Sequence, residues 1–305
     1  MRVTLLGPQR RPTVDAVLAA RQLTGPVATI TAGWQEREPA DEELAKLLGG
    51  QDVNLRLYQR WLDVAERDPP FAAAERQVRD LLAELQEIYL VRLDHALRAV
   101  YALQRRPGPG RLQAGAVSEA TAAVRDLDAA HLHRAGQLRG EFYQAWRPHD
   151  RPVIAAHRAA IAGLLDGAAG LVIAGGHVGV LADALHLFNV AAAVRCPVIA
   201  WSAGAMALTE RIVLFYDRAP QGPGHPEVYT AGLSLLRGVV VLPHARARLA
   251  LDDQPRMAVF ARRFGPAACV LLDPGAEVEA SAGGGCPPGA PVLGQDGRVT
   301  PLEPG

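Results

Sequence analysis

The 305 residues are 49% hydrophobic, enough to bury a sizeable core in one large domain or in a domain that carries an insertion. The 32 basic and 32 acidic residues cancel, which removes any global charge argument for a nucleic-acid or anionic-membrane partner. No apolar run is long enough to span a bilayer.

In chain order, Val3 to Leu6 reads as a short apolar strand closed by Gly7-Pro8. The opening stretch is too short for a signal peptide, so a soluble cytoplasmic protein is expected. Val14, Val17 and Leu18 repeat at helical spacing after Thr13, a capping residue type. Val27 to Thr31 is a second strand. It runs into the polar loop Ala32 to Glu38, which includes Gln35 and Glu36, and ligands of open α/β sheets bind at such strand ends. Asp41 to Leu48 reads as a helix stopped by Gly49-Gly50, and Val53 to Tyr58 as a third strand.

The pattern then changes. From Phe71 to Gln104, Val78, Leu81, Leu82, Leu85, Ile88, Tyr89, Leu93, Leu97, Val100 and Tyr101 form a sustained helical stripe with charge on the other faces. Arg105 to Gly110 breaks it, and a second helical stretch runs from Ala114 to Trp146. The two read as a helical hairpin inserted at 71–150 between two parts of an α/β domain, 1–70 and 151–305. Its expected role is packing or a homodimer contact, ahead of a lid over a site. His131 and His133 point to nearly opposite faces of such a helix and cannot share one metal ion, so a solvated face is expected there. Cys196, Cys269 and Cys286 have no metal-ligand spacing and no even disulfide framework; neither metal nor cofactor is expected.

Pro152 to Leu165 is helical, and the α/β alternation then resumes. A strand from Ala169 ends at Gly175-Gly176-His177, and a helix follows from Val180 to Val190. The apolar run Cys196 to Trp201 stops at Ser202, with Ala203 to Glu210 helix-compatible. This is the layout of a nucleophile elbow, where a sharp strand-to-helix turn lifts a hydroxyl above the sheet edge and demands small neighbours. Gly204 meets that demand, while Ala200 stands where the general pattern has glycine. Ile212 to Tyr216 is a strand ending at Asp217, followed by a Gly/Pro-rich loop from 218 to 225. Leu235 to Leu242 is a strand ending at Pro243-His244. Asp253 caps a helix that reaches Arg263. Cys269 to Leu272 is a strand ending at Asp273, and the tail from Gly283-Gly284-Gly285 onward is irregular with one terminal hairpin.

Alternating strands and helices predict a doubly wound, mostly parallel sheet covered on both faces, with all strand carboxyl ends on one edge. The residues at those ends then form one set: a hydroxyl nucleophile (Ser202), a base (His244), two candidate orienting carboxylates (Asp217 and Asp273) and a glycine loop. A hydroxyl is a weak nucleophile until a base accepts its proton and a third group fixes that base in one tautomer.

Ala200-Trp201-Ser202-Ala203-Gly204-Ala205 resembles the elbow of the dipeptidase E and cyanophycinase family of serine peptidases. Gly232 to His244 is similar to the family's segment leading to its catalytic histidine, and Ala174 to His177 to its glycine loop. The resemblance covers roughly residues 169 to 279. It implies a class I glutamine amidotransferase-like, flavodoxin-like fold and no cofactor. It also implies Ser202 as nucleophile, His244 as base, and the N–H groups of Gly175 or Gly176 and Ala203 as an oxyanion hole. Either Asp217 or Asp273 matches a family position for the third member, with the Ser202–His244 spacing favouring Asp273. His177 departs from the Asn or Asp usual there. Candidate substrate contacts are His177, Trp201, Gln35, Glu36 and Arg248, and both family activities act on small peptide or isopeptide amides next to aspartyl groups. The competing expectation is a catalytically inactive binding or assembly protein of the same fold.

Overall fold

The computed structural model describes residues 1–10, 12–107, 110–217 and 224–303; most of the Gly/Pro-rich loop expected at 218–225 lies outside them. The first part of the chain runs β1 (Arg2–Leu6), α1 (Val14–Ala20), β2 (Val27–Ile30), a 3-10 segment (Ala32–Arg37), α2 (Glu42–Leu47), β3 (Asp52–Asn54) and α3 (Leu57–Arg67). Two long helices follow, α4 (Pro69–Arg105) and α5 (Gly110–Trp146), then α6 (Pro152–Asp166), β4 (Gly170–Ile173), α7 (Val178–Leu187), α8 (Val190–Ala193), β5 (Val198–Trp201) and α9 (Ala203–Ala207). The last part is β6 (Arg211–Leu214), β7 (Glu227–Ala231), β8 (Val239–Pro243), α10 (Ala245–Arg248), α11 (Gln254–Phe264), β9 (Ala268–Leu272), β10 (Glu277–Ser281), β11 (Pro291–Leu293) and β12 (Val299–Pro301).

The main sheet has the order β10-β1-β5-β4-β2-β3. All neighbours are parallel except the edge strand β10, which lies antiparallel to β1. Its central strands are buried on both sides, as parallel strands must be when helices cover both faces. The alternation is visible residue by residue. Leu5, Ile30, Ile173 and Ala200 point into a core shared with α3, α6 and α7. Leu6, Val27, Val172, Ile199 and Trp201 point into the opposite one, shared with α1 and α2. Read from the other edge, the parallel strands run β3-β2-β4-β5-β1, so that from β2 onward they follow a 2-1-3-4 winding, with β1 in the last place. The chain leaves β2 toward β3 on one side and β4 toward β5 on the other, which makes the carboxyl ends of β2 and β4 the topological switch point of the sheet.

A second sheet, β12-β11-β9-β8, pairs β8 and β9 in parallel, and β6 and β7 form a separate antiparallel ribbon. The run from Val53 to Tyr58 does not continue as a strand. Arg56 has φ 52°, and the buried Glu38 carboxylate accepts the N–H groups of Tyr58 and Gln59, which starts α3 at Leu57.

The insertion is the hairpin α4–α5, 37 residues in each arm. Asp68 caps its start, with Pro69 and Pro70 in the first turn. Only part of the expected stripe is buried. Tyr89, Leu93, Leu97 and Val100 pack with Val117, Val124 and Leu127 of α5 against β6 to β9 and α11, whereas Leu81 and Ile88 stay exposed. The hairpin is therefore part of the core around the second sheet. Within it, Asp128 accepts two hydrogen bonds from Arg263, at 2.7 Å each, and one from the Tyr89 hydroxyl at 2.8 Å. Arg263 also donates to Pro226 O, and the Val228 N–H donates to the Tyr89 hydroxyl. One buried ion pair thus ties α4, α5, α11 and the ribbon together. His131 is not on a solvated face: it is buried and stacked on Tyr89 with ring centroids 4.1 Å apart, while His133 is exposed.

Removing Asp128 leaves the buried Arg263 charge uncompensated. Asp128→Ala is expected to lower the unfolding free energy by about 3–5 kcal/mol in urea titration, and adding Arg263→Met to recover part of it. A loss below about 1 kcal/mol would show that water reaches the charge.

Candidate active site

Ser202 sits at the turn from β5 into α9 with φ 50° and ψ −121°, a conformation that L residues adopt at a cost of about 1–3 kcal/mol. Three close approaches hold the turn. A Cβ on Gly204 would come within 2.3 Å of Ile173 O, so α9 lies directly against the end of β4. A Cβ on Gly175 would lie 2.9 Å from the Ser202 Cβ. Gly176 has φ 126°, and a Cβ there would fall 2.3 Å from Gly33 O, which also accepts the His177 N–H at 2.7 Å. The loops after β2, β4 and β5 are therefore in backbone contact beside the half-buried Ser202. Among the described residues the N–H groups of Gly175, Gly176 and Ala203 carry no backbone hydrogen bond, and of these three residues Gly176 and Ala203 line the cleft while Gly175 does not. The N–H groups of Gly176 and Ala203 are therefore the ones placed to face an anionic oxygen in the cleft.

His244 and Asp273 follow adjacent parallel strands, β8 and β9, whose last pair is Pro243 with Leu272. The His244 N–H donates to Leu272 O at 3.0 Å, and His244 itself has φ 59° and ψ 33°. Asp273 is pressed onto the end of β1, where any Cβ on Gly7 would collide with its carbonyl. Its carboxylate accepts the Arg246 N–H at 3.0 Å and lies 3.5 Å from the Arg246 Nε. It acts on the His244 ring through its charge, with no hydrogen bond between them among the described residues. Burial, then the positive charges of Arg248 and Arg10, push the imidazole pKa below its ordinary value, against the opposing pull of Asp273. The ring is accordingly neutral near pH 7 and able to accept a proton.

Ser202 and His244 line one cleft of ≈ 530 Å³. Gly176, Ala203, His177 and Arg248 share its wall, as do Met206, Phe215, Tyr216 and Tyr229. The Arg248 guanidinium lies over the Tyr216 ring, 5.1 Å from its centroid. His177 caps α7, its Nδ1 accepting the Val180 N–H at 3.2 Å, so that ring carries its proton on Nε2 when neutral. A larger hollow of ≈ 600 Å³ beside α5 is lined by Arg125 and Arg262 but by no histidine or carboxylate, and so offers no base. Among the described residues no group of three His, Cys, Asp or Glu side chains converges to hold a metal ion, and no helix is long and apolar enough to cross a membrane.

Four of the sequence-derived site residues fall elsewhere. Asp217 follows β6, which belongs to the antiparallel ribbon and not to the parallel edge. Its buried carboxylate is taken by the Arg256 Nη2 at 2.6 Å and the Ala250 N–H at 3.1 Å, so it holds structure instead of facing His244. Glu36 accepts from the Tyr58 hydroxyl at 2.8 Å, and neither it nor Gln35 lines the cleft. Trp201 points to the opposite face of the sheet, into a second cavity. Conversely, Tyr229 and Met206 were not singled out by sequence. Tyr229 comes from a ribbon strand that carries no motif and reaches the cleft only through tertiary packing.

The environment of His244 has a measurable consequence. Its titration by NMR is expected to have a midpoint below 6.5, and Arg248→Ala to move that midpoint upward by removing a repelling charge. A midpoint above 6.5 would mean that the Asp273 charge outweighs burial and both arginines.

No protein-family model matches the chain, and no curated protein matches it. Among solved structures it is similar to a peptidase from an acI-B1 Actinobacterium, with 12% sequence identity and a TM-score of 0.46 over 100% of this chain and 94% of that one.

Proposed function

We propose that the chain is a serine hydrolase of the dipeptidase E and cyanophycinase type, cleaving a small peptide or isopeptide amide bond through an acyl-enzyme. The observation that carries this reading is Ser202, at a strained strand-to-helix turn, on the wall of the same cleft as the neutral His244. The Ser202 Oγ attacks the carbonyl carbon while His244 takes its proton. The carbonyl oxygen gains the electron pair and is received by the N–H groups of Gly176 and Ala203. As the C–N bond breaks, the imidazolium passes the proton to the leaving amine. Water then attacks the acyl carbon, His244 takes the water proton, and that proton returns to Ser202 as the acid departs. Asp273 lies near enough to stabilise the imidazolium by charge, and catalytic hydrogen bonds commonly tighten in the substrate complex. Arg248, the cation on the cleft wall, suits a substrate carboxylate on the acyl side.

One observation favours a second reading, a binding protein of the same fold without hydrolysis. The Asp273 carboxylate is bonded to Arg246 and not to the His244 ring.

A fluorophosphonate probe separates the two. The hydrolase reading predicts a single adduct on Ser202, lost in Ser202→Ala; the absence of an adduct, or one elsewhere, supports the binding reading.

The two aspartates should part ways. Asp273→Asn is expected to slow labelling, by up to about ten-thousandfold if it acts as a full orienting carboxylate. Asp217→Asn is expected to cost about 1–3 kcal/mol of stability by weakening a charged hydrogen bond, with the labelling rate of the folded protein kept. The opposite pattern would reverse the roles.

A further inference from the structure

His244 lies on the walls of two cavities. One is the cleft that holds Ser202; the other, of ≈ 390 Å³, lies beyond it toward α1 and α2. The two open on opposite faces of the sheet edge. Ala203 and Met206 of the cleft belong to one core, while Trp201 and Leu44 of the second cavity belong to the other. The second cavity is walled by Trp34, Trp201, Leu44 and Leu47, with Arg10 and Glu43 as its charged groups. Arg10 is exposed, and no hydrogen bond or ion pair involves it among the described residues. It stands close enough to His244 for its charge to act on the ring.

We propose that this second cavity is the leaving-group subsite, and that it takes an apolar or aromatic amino acid whose free carboxylate is bound by Arg10. The assignment rests on the hydrolase reading above. In that reaction the imidazolium must hand its proton to the departing nitrogen, so the departing residue has to lie against His244. This cavity touches His244 without containing Ser202, whereas the cleft contains both. Two indoles and two leucines suit an apolar or aromatic side chain, because ring stacking adds to plain burial. The unpaired guanidinium offers a forked donor to a carboxylate, and Glu43 repels an acidic side chain. The cleft and this cavity would then grip the two halves of a dipeptide-sized substrate with one arginine each, Arg248 and Arg10.

The intact protein can be titrated with free L-phenylalanine and with L-phenylalaninamide, reading tryptophan fluorescence. The expected result is a saturable change with L-phenylalanine in both wild type and Ser202→Ala. The amide, which lacks the carboxylate charge, should bind about ten-fold more weakly. Arg10→Ala should bring L-phenylalanine down to the amide's level, and Trp34→Phe should diminish the signal. No saturable change, equal binding of the two probes by wild type, or undiminished binding by Arg10→Ala would overturn the subsite. Labelling of the same preparation with the serine probe keeps the two claims apart. A chain that labels at Ser202 yet ignores L-phenylalanine refutes the subsite alone. A chain that binds L-phenylalanine yet never labels refutes the hydrolase reading, and with it the leaving-group role.

Discussion

At the carboxyl edge of the sheet, three backbones meet with no room for a Cβ between them. Gly204 rests on the end of β4, Gly175 on Ser202, and Gly176 on Gly33. Each contact is shorter than any real Cβ could make, so this arrangement requires glycine at every one of those positions. The consequence is positional. Ser202 is held in a conformation it would not choose, beside two backbone N–H groups with no backbone partner. The strain is sustained because the surrounding contacts leave the turn no alternative. The Gly33–Gly176 contact closes the switch point between β2 and β4, and the cleft opens beside the ends of β4 and β5 instead.

The other half of the site comes from a different part of the fold. His244 and Asp273 ride on β8 and β9, whose inner face shares a core with the main sheet and whose outer face is covered by α11 and the helical hairpin. The buried pair Arg263–Asp128, with Tyr89, fastens the hairpin to that outer face. A buried ion pair of this kind is weak evidence for net stability, but breaking it by removing one partner is costly, so the four elements it joins are held at one point. The long insertion thus bears on the site through the strands that carry His244, and its exposed half does not.

Much of this was legible in the sequence, and the failures have physical causes. The elbow could be read because a tight turn restricts side-chain size locally, and strand and helix periods on either side fix its place. Asp217 was misplaced because the end of an apolar run does not say which sheet the strand joins, and β6 pairs with β7 instead of with the parallel edge. The third strand was read too long because α3 begins where a distant carboxylate, Glu38, caps it. His131 was assigned to solvent because the buried face of a helix is chosen by what packs against it, here Tyr89. β10 lies between the Asp273 strand end and the irregular tail, where no element was expected from the sequence, and it joins the main sheet beside β1 through a pairing across almost the whole chain.

The central claim is that Ser202, His244 and two backbone N–H groups converge on one reacting carbonyl. The most direct measurement is a crystal structure of the chain after reaction with a fluorophosphonate. The account predicts phosphorus on the Ser202 Oγ, with one phosphonyl oxygen about 2.7–3.1 Å from the Gly176 and Ala203 nitrogens and the His244 ring hydrogen-bonded to the adduct. An unmodified Ser202, or an adduct whose oxygen turns away from both N–H groups, would contradict it.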